Sequence, residues 1–391
     1  MDVDQSLLVR ARELGPLIRE HMAEADRERR LSRAVIDALE QAGLTKLHLP
    51  KALGGLEADP ITAMRISEEI AGFDAAAAWY LMVTNAGAFS YGGLPDAVVD
   101  EIMADRNWTS AASPSTPGVA HEVDGGYRVS GRVPFCSGVS TAKWVFLSYM
   151  VMDGDQPRMH QGAPVMFMAC LPVSEVQIID TWYGMGMRGT DSNDVAVRDL
   201  FVPKARTIPM VPNSPQNRYY QTPLYRLPML AAIVLQWIPP IAIALGRRAI
   251  DEVKGLSAKR VPMATMVPVR ERGSAQERLG RAEAMWRAAR GLMYQTMSDL
   301  WEATLAGRPC TLDEKASGSL AAAHAAQTGV QVVDLMYTSA GSSAAFDSHP
   351  MQKLFRDAHV IRQHGFVCLG RYETFAQVAL GLPPDLPFLH F

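Results

Sequence analysis

Several groupings in this chain have residue types and spacings that chemistry uses, and each needs a context that can be checked. Gly184-Met-Gly-Met-Arg-Gly189 matches G-x-G-x-x-G. That pattern binds a dinucleotide when it ends a strand and opens a helix, so that helix-end N–H groups meet the pyrophosphate. Here it runs into Thr190-Asp-Ser-Asn-Asp and then Val195-Ala-Val197, which alternates like another strand. The expectation is a glycine-rich connection between strands. His121-Glu122 begins like H-E-x-x-H, but Gly125 stands where the second histidine belongs, so no zinc ligand pair forms and no metal centre is expected. Ser342 and Ser343 follow Gly341, yet Ala345 occupies the last glycine position of a nucleophile elbow. Cys136, beside Ser137 in a strand-like run, reads as packing.

The elements that would position such groups change in texture along the chain. The first ~110 residues follow helical periodicity. Ser32 is an expected N-cap before the stripe Val35, Ile36 and Leu39, with Gly43 at the helix end. Asp59-Pro60 repeats the start signal. Ala75 to Met82 is an Ala-rich apolar run. From Ala112 to Pro203 the sequence turns to Val, Phe, Tyr, Thr and Gly with regular turn signals. Strands are expected near Tyr127–Ser130, Trp144–Met152, Pro164–Leu171, Val176–Ile179 and Asp194–Val202, paired antiparallel. The gaps are too short for the helical crossovers of a parallel sheet. Lys204 to Arg226 carries four prolines and reads as a loop; beyond it the pattern is helical to about Leu380. The domain expectation is 1–111 helical, 112–208 β and 209–391 helical.

Composition narrows the class. The chain has 391 residues, 48% of them hydrophobic, and a formal charge of −3. It can bury a core, and it has no charge excess for nucleic acid. Its four cysteines are far apart, which fits a reducing cytoplasm. The N-terminus is acidic with no apolar stretch, so no signal peptide is expected. Leu227 to Gly246 is uncharged over 20 residues. Pro239-Pro240 and Gln236 interrupt it, and a buried core helix is expected rather than a membrane span.

Five segments, in order, resemble the acyl-CoA dehydrogenase fold superfamily of flavoproteins. They are Leu49-Pro-Lys-Ala-Leu-Gly-Gly-Leu56, Gly131-Arg-Val-Pro-Phe-Cys-Ser-Gly138 running on to Trp144, Met185 to Val195, Phe201-Val-Pro203 and Arg356-Asp-Ala358. The resemblance implies an α+β fold: an N-terminal helical domain, a central antiparallel β-domain and a C-terminal four-helix bundle. A common position for the dehydrogenase glutamate lies two residues before the proline that precedes Arg-Asp-Ala. Ser348 stands there, and a hydroxyl cannot take a thioester α-proton as a carboxylate does. Ala340-Gly-Ser-Ser-Ala344, Pro350 and His364 are instead similar to the two-component flavin-dependent monooxygenases on this fold.

That likeness implies an enzyme that takes reduced FMN or FAD from a separate flavin reductase and reacts it with O2. A C4a-(hydro)peroxyflavin would then hydroxylate or epoxidise a small aromatic or heteroaromatic substrate, indole- or phenol-like. It further implies a homotetramer built through the C-terminal helices; the cytoplasmic location and the absence of a membrane or nucleic-acid partner are expected from composition. Ser137 is the expected partner of flavin N5, Phe135 lies against the ring system, and Arg188, Thr190 and Ser192 sit nearby. His364 is the expected acid–base group. His359, five residues earlier, would point about 140° away on an ideal helix. Trp79, Tyr220 and Trp237 are expected at the substrate. Asn85 stands among the catalytic candidates, in the helical segment after Trp79 where relatives carry a histidine. The competing readings are a thioester-oxidising dehydrogenase with its base elsewhere, and an inactive flavin-binding oligomer.

Overall fold

The computed structural model describes residues 3–104, 108–160, 162–210, 217–257, 261 and 266–390. Six helices come first: α1 (Gln5–Glu13), α2 (Gly15–Glu28), α3 (Arg33–Gln41), α4 (Pro60–Ala71), α5 (Ala75–Ser90) and α6 (Asp96–Ala104). The capping signals act as their chemistry dictates. Ser32 accepts from the Val35 N–H, Asp59 accepts from Thr62 N–H at 2.9 Å, and Pro60 occupies the first turn, where its missing N–H costs nothing. Gly43 takes φ +76° just past α3, a left-handed turn that suits glycine.

Ten strands follow: β1 (Ser110–Val123), β2 (Gly126–Cys136), β3 (Trp144–Asp153), β4 (Gln156–Pro157), β5 (Met159–His160), β6 (Ala163–Pro164), β7 (Met166–Pro172), β8 (Gln177–Ile179), β9 (Asn193–Pro203) and β10 (Thr207–Pro209). The main sheet runs β10-β7-β3-β1-β2-β9-β8. Its pairs are antiparallel except one: β1 runs parallel to β3, from Ser110 beside Trp144 to His121 beside Met152. The expectation of purely antiparallel pairing missed this, because hairpin β1–β2 puts β2 on one side of β1 and leaves the other open to β3. The connection from β2 back to β3 needs no helix because the turn Ser137–Lys143 wraps the end of the sheet.

The C-terminal helices are α7 (Ile238–Ser257), α8 (Gly273–Leu305), α9 (Leu312–Ala340), α10 (Pro350–Ile361) and α11 (Gly370–Ala379). α9 is the hub, packed on the other four. A π-helical turn, Ala231–Leu235, precedes α7. Ala231–Ser257 is long and apolar enough to cross a membrane, but it lies inside the molecule. Its close neighbour is α9, where a Cβ on Gly329 would sit 2.5 Å from the Ala242 carbonyl oxygen. Residues 211–216 of the proline-rich stretch lie outside the described residues, while Pro223–Arg226 forms a short 3-10 turn.

Candidate active site

Ser137 sits where three pieces of chain meet. It follows β2 directly, after a register shift between Val133 and Cys136 and a left-handed residue, Phe135, at φ +63°. The bend tucks the serine inward, 6% exposed, and leaves the Phe135 ring 60% exposed. From α5, the Trp79 Nε1–H donates to Ser137 Oγ at 3.0 Å. From the connection between β8 and β9, Ser192 Oγ lies 2.7 Å from Ser137 Oγ, and Thr190 Oγ1 lies 2.6 Å from Ser192 Oγ. Two more left-handed residues, Met187 (φ +51°) and Asp191 (φ +52°), shape that connection. Such backbone cost concentrates at functional sites.

The far end of this relay fixes its direction. Thr190 Oγ1 is 2.8 Å from the Met187 carbonyl oxygen, which can only accept. Thr190 therefore spends its single proton there, Ser192 must donate to Thr190, and Ser137 must donate to Ser192. Ser137 Oγ then holds one bond from Trp79 and has one lone pair left to receive another N–H.

A buried ion network ties both arms of the relay together. The Lys353 ammonium lies 2.6 Å from Asp357 Oδ2 and 3.3 Å from Asp74 Oδ1. Asp74 caps α5, the helix that carries Trp79. Asp357 Oδ1 accepts from the Met187 N–H at 2.6 Å, on the segment that carries Thr190 and Ser192. Gly186 belongs to the same clamp: a Cβ there would be 2.3 Å from the Arg356 carbonyl oxygen, so the loop reaches α10 only with glycine. This close approach, not a pyrophosphate, explains the glycine-rich motif.

His364 comes to the site from a turn. α10 ends at Ile361, so the helical argument that separated His364 from His359 does not apply. His359 bonds Asp334 instead, at 2.8 Å. The His364 ring meets Trp79 edge-on with centroids 5.5 Å apart. Burial lowers its pKa to about 4, so it is neutral at pH 7. Its Nδ1 accepts from the Phe366 N–H at 3.4 Å, which puts the ring proton on Nε2. Phe366, in ring contact with His364 at 5.6 Å, also lines a cavity of ≈ 590 Å³. Ala86 and Phe89 of α5, Ala112 of β1 and Val234 line it too. That volume lies within the usual range for a small-molecule site.

The structure assigns several of the expected residues elsewhere. Asn85 is fully buried and spends its amide on backbone: it donates to Leu44 O and Leu81 O and accepts from His48 N–H. Both of its donor protons are spent on backbone and the side chain is fully buried, so it pins a turn. Tyr220, 1% exposed, donates to Ala88 O, and Trp237 is fully buried against His48; neither lines the cavity. Trp79 faces the serine relay rather than the cavity wall. Arg188 donates to Asp26 O and Gly184 O and so holds the loop. Sequence reasoning missed Lys353 and Asp74. The Lys353–Asp357 spacing of four was a visible helical ion-pair signal, but nothing local linked either residue to Asp74. Among the described residues no group of three His, Cys, Asp or Glu is placed to hold a metal ion.

The relay fits a flavin on this chain's own terms. It offers a buried acceptor with a free lone pair, beside an exposed aromatic ring held on a left-handed backbone. Comparison with known proteins agrees. Residues 12–93 match the acyl-CoA dehydrogenase N-terminal domain and residues 237–368 the acyl-CoA dehydrogenase C-terminal domain. The chain is 29% identical to an indole-3-acetate monooxygenase of Pseudomonas putida, over 94% of this chain and 91% of that protein. It is 27% identical to the oxygenase subunit HsaA of a Mycobacterium tuberculosis flavin-dependent monooxygenase, over 97% and 96%. Among solved structures, XiaF from Streptomyces sp., in complex with FADH2 and glycerol, superposes with a TM-score of 0.90 at 25% identity, covering 97% of this chain and 96% of XiaF. The chain therefore belongs to the acyl-CoA dehydrogenase fold family, as the oxygenase component of a two-component flavin-dependent monooxygenase served by a separate reductase.

Proposed function

We propose that this protein inserts one oxygen atom of O2 into a small aromatic or heteroaromatic molecule, indole- or phenol-like, by hydroxylation or epoxidation. When bound, reduced FMN or FAD supplies the two electrons that let one oxygen enter the substrate while the other leaves as water. The observation that carries the reading is the direction of the hydroxyl relay. Because Thr190 is committed to Met187 O, Ser137 Oγ is an acceptor, and an acceptor is what holds the proton on flavin N5. Phe135 is the ring that lies against the isoalloxazine. Thr190 and Ser192 act through Ser137, and Arg188 acts through the loop.

His364 takes a narrower role than a general base. With Nδ1 occupied by Phe366 N–H, its Nε2–H is the group free to donate, and a donor orients or protonates developing negative charge on oxygen. The dehydrogenase alternative lacks support near Ser137. Asp74 and Asp357 are engaged by Lys353, and Asp191 accepts from Ser140 N–H, Ser140 O–H and Asn193. None is free to act as a base.

We propose in addition a cytoplasmic homotetramer built through the C-terminal helices. Exposed Leu292, Leu305, Leu369, Leu380 and Leu382 in that region support it, because such apolar side chains favour cover. Light scattering on the purified protein tests the assembly. The function is tested by stopped-flow mixing of protein-bound reduced FMN with aerated buffer. An oxygen-dependent absorbance transient before oxidised flavin is expected, shortened in Ser137→Ala. Single-phase reoxidation in the wild type overturns the reading.

A further inference from the structure

The cavity beside His364 has two kinds of wall. One part is apolar, with the buried Leu230 and Val234 and the half-buried Phe89, which suits a flat aromatic body. Every charged side chain among its described lining residues is a cation: Arg226, Arg308 and Lys315. Arg308 is already neutralised by Glu314, with bonds of 2.6 and 2.9 Å. Lys315, half-buried, has no carboxylate within ion-pair distance among the described residues and no hydrogen bond from its ammonium. Arg226, exposed, makes one long side-chain bond of 3.4 Å to Gln221 O and no ion pair among the described residues. Some half-buried cations elsewhere are matched, Lys353 by Asp74 and Asp357, Arg290 by Glu68, Arg247 by Asp251 and Glu283, whereas Lys46, Arg65 and Arg362 have no ion pair among the described residues; what sets Lys315 and Arg226 apart is their place on the cavity wall.

Two unmatched cations on the wall of an otherwise apolar cleft attract an anion more strongly than they would on open surface, because the walls exclude water and focus the field. We infer that the substrate is an aromatic molecule bearing an anionic group, and that Lys315 and Arg226 bind that group at the open end of the cavity. The ring then extends inward toward Phe366 and His364. Lys315 and Arg226 are thus specificity-determining residues, remote from the reacting atoms. The inference rests on the monooxygenase reading above and adds the charge of its substrate.

The test uses protein loaded with reduced FMN under anaerobic conditions and titrated with matched pairs: indole-3-acetate against indole-3-acetamide, and phenylacetate against phenylacetamide. Each pair keeps shape and changes charge. At least one acid is expected to bind about tenfold or more tightly than its amide, as a charge-assisted contact implies. The preference is expected to shrink in Lys315→Met and in Arg226→Met, and to weaken as salt is raised. Reduced-FMN binding, read on the same preparations, is expected to stay within about twofold in both variants, since Ser137 and its relay are untouched. Amides that bind as well as acids, no binding by any acid, or a preference that survives both substitutions overturns the inference while leaving the flavin reading intact. A wild type that does not hold reduced FMN overturns both.

Discussion

The polar floor around Ser137 and the cavity lined by Phe366 are built on opposite rules. Around Ser137 the described hydroxyls, the indole N–H and the ion network are almost fully spent on one another. Every donor proton of that relay is spent, and a lone pair on Ser137 Oγ is left to receive a further donor. In the cavity, little is spent: the walls are largely apolar and two cations have no ion pair among the described residues. A saturated network has one low-energy arrangement, because breaking any bond in low dielectric leaves an unsatisfied group. An apolar wall accepts many shapes at similar cost. On the proposed function, the floor would hold the cofactor in one arrangement and the cavity would set which substrate fits.

The sharpest way to break this contrast is Lys353→Met. It leaves Asp74 and Asp357 buried without their counter-ion, and losing one partner of a buried pair costs about 3–5 kcal/mol. Thermal unfolding at pH 7 is expected to show a large drop in Tm, partly restored when Asp357→Asn is added. If Lys353→Met melts like the wild type, the network is not what holds the floor together.

Acid should loosen the same half of the molecule. Burial holds His48 neutral with a pKa of about 3 and His364 with one of about 4. Both bind fewer protons folded than unfolded. Stability is therefore full above the unfolded value of about 6.5 and is lost as pH falls through the window toward those folded values. Tm measured from pH 7.5 to 4.5 is expected to fall steadily, and His364→Gln should flatten that slope. A pH-independent Tm would show that neither imidazole is sheltered.

A subtler change tests the relay's direction. Thr190→Val keeps the shape but removes the group that receives the Ser192 proton. Ser192 can then donate to Ser137 instead, which fills the lone pair meant for the flavin. Losing one such bond, worth ~1 kcal/mol, should shorten the oxygen-dependent transient by about five- to tenfold with little change in Tm. A lifetime equal to the wild type's would mean that the relay carries no directional information.

The smallest effect on stability is expected in the cavity. Met229 is half-buried on its wall, so Met229→Ala should cost under about 1 kcal/mol while raising substrate KM several-fold. Should it instead destabilise as a core truncation does, the two regions are not built differently after all.

Much of the scaffold was legible in the chain. Ser32, Asp59 and Pro60 announced helix starts that formed where expected, because capping is satisfied within three residues. The strand alternation was equally plain. The parallel pairing of β1 with β3 was not, since both partners of β1 lie on the same period-two pattern and only the sheet's closure selects between them. At the candidate site, Ser137, Thr190, Ser192 and His364 were singled out through their motifs, and the structure joins the three hydroxyls in one relay and puts His364 against Trp79. Asn85, Tyr220 and Trp237 were misplaced: a polar or aromatic residue near the right position reads the same whether its hydrogen bonds go to backbone or to a ligand.

By itself the sequence determined the order of elements, the family and the set of hydroxyl and imidazole groups available for chemistry, because these depend on short-range periodicity and local motifs. Tertiary structure alone decided which proton each hydroxyl gives away, that Lys353 joins Asp74 to Asp357, and which cations the cavity leaves unmatched. Those outcomes depend on distances between segments far apart in the chain. They are fixed by saturating hydrogen bonds and excluding water, and apart from the i,i+4 spacing of Lys353 and Asp357 they leave no trace in residue spacing.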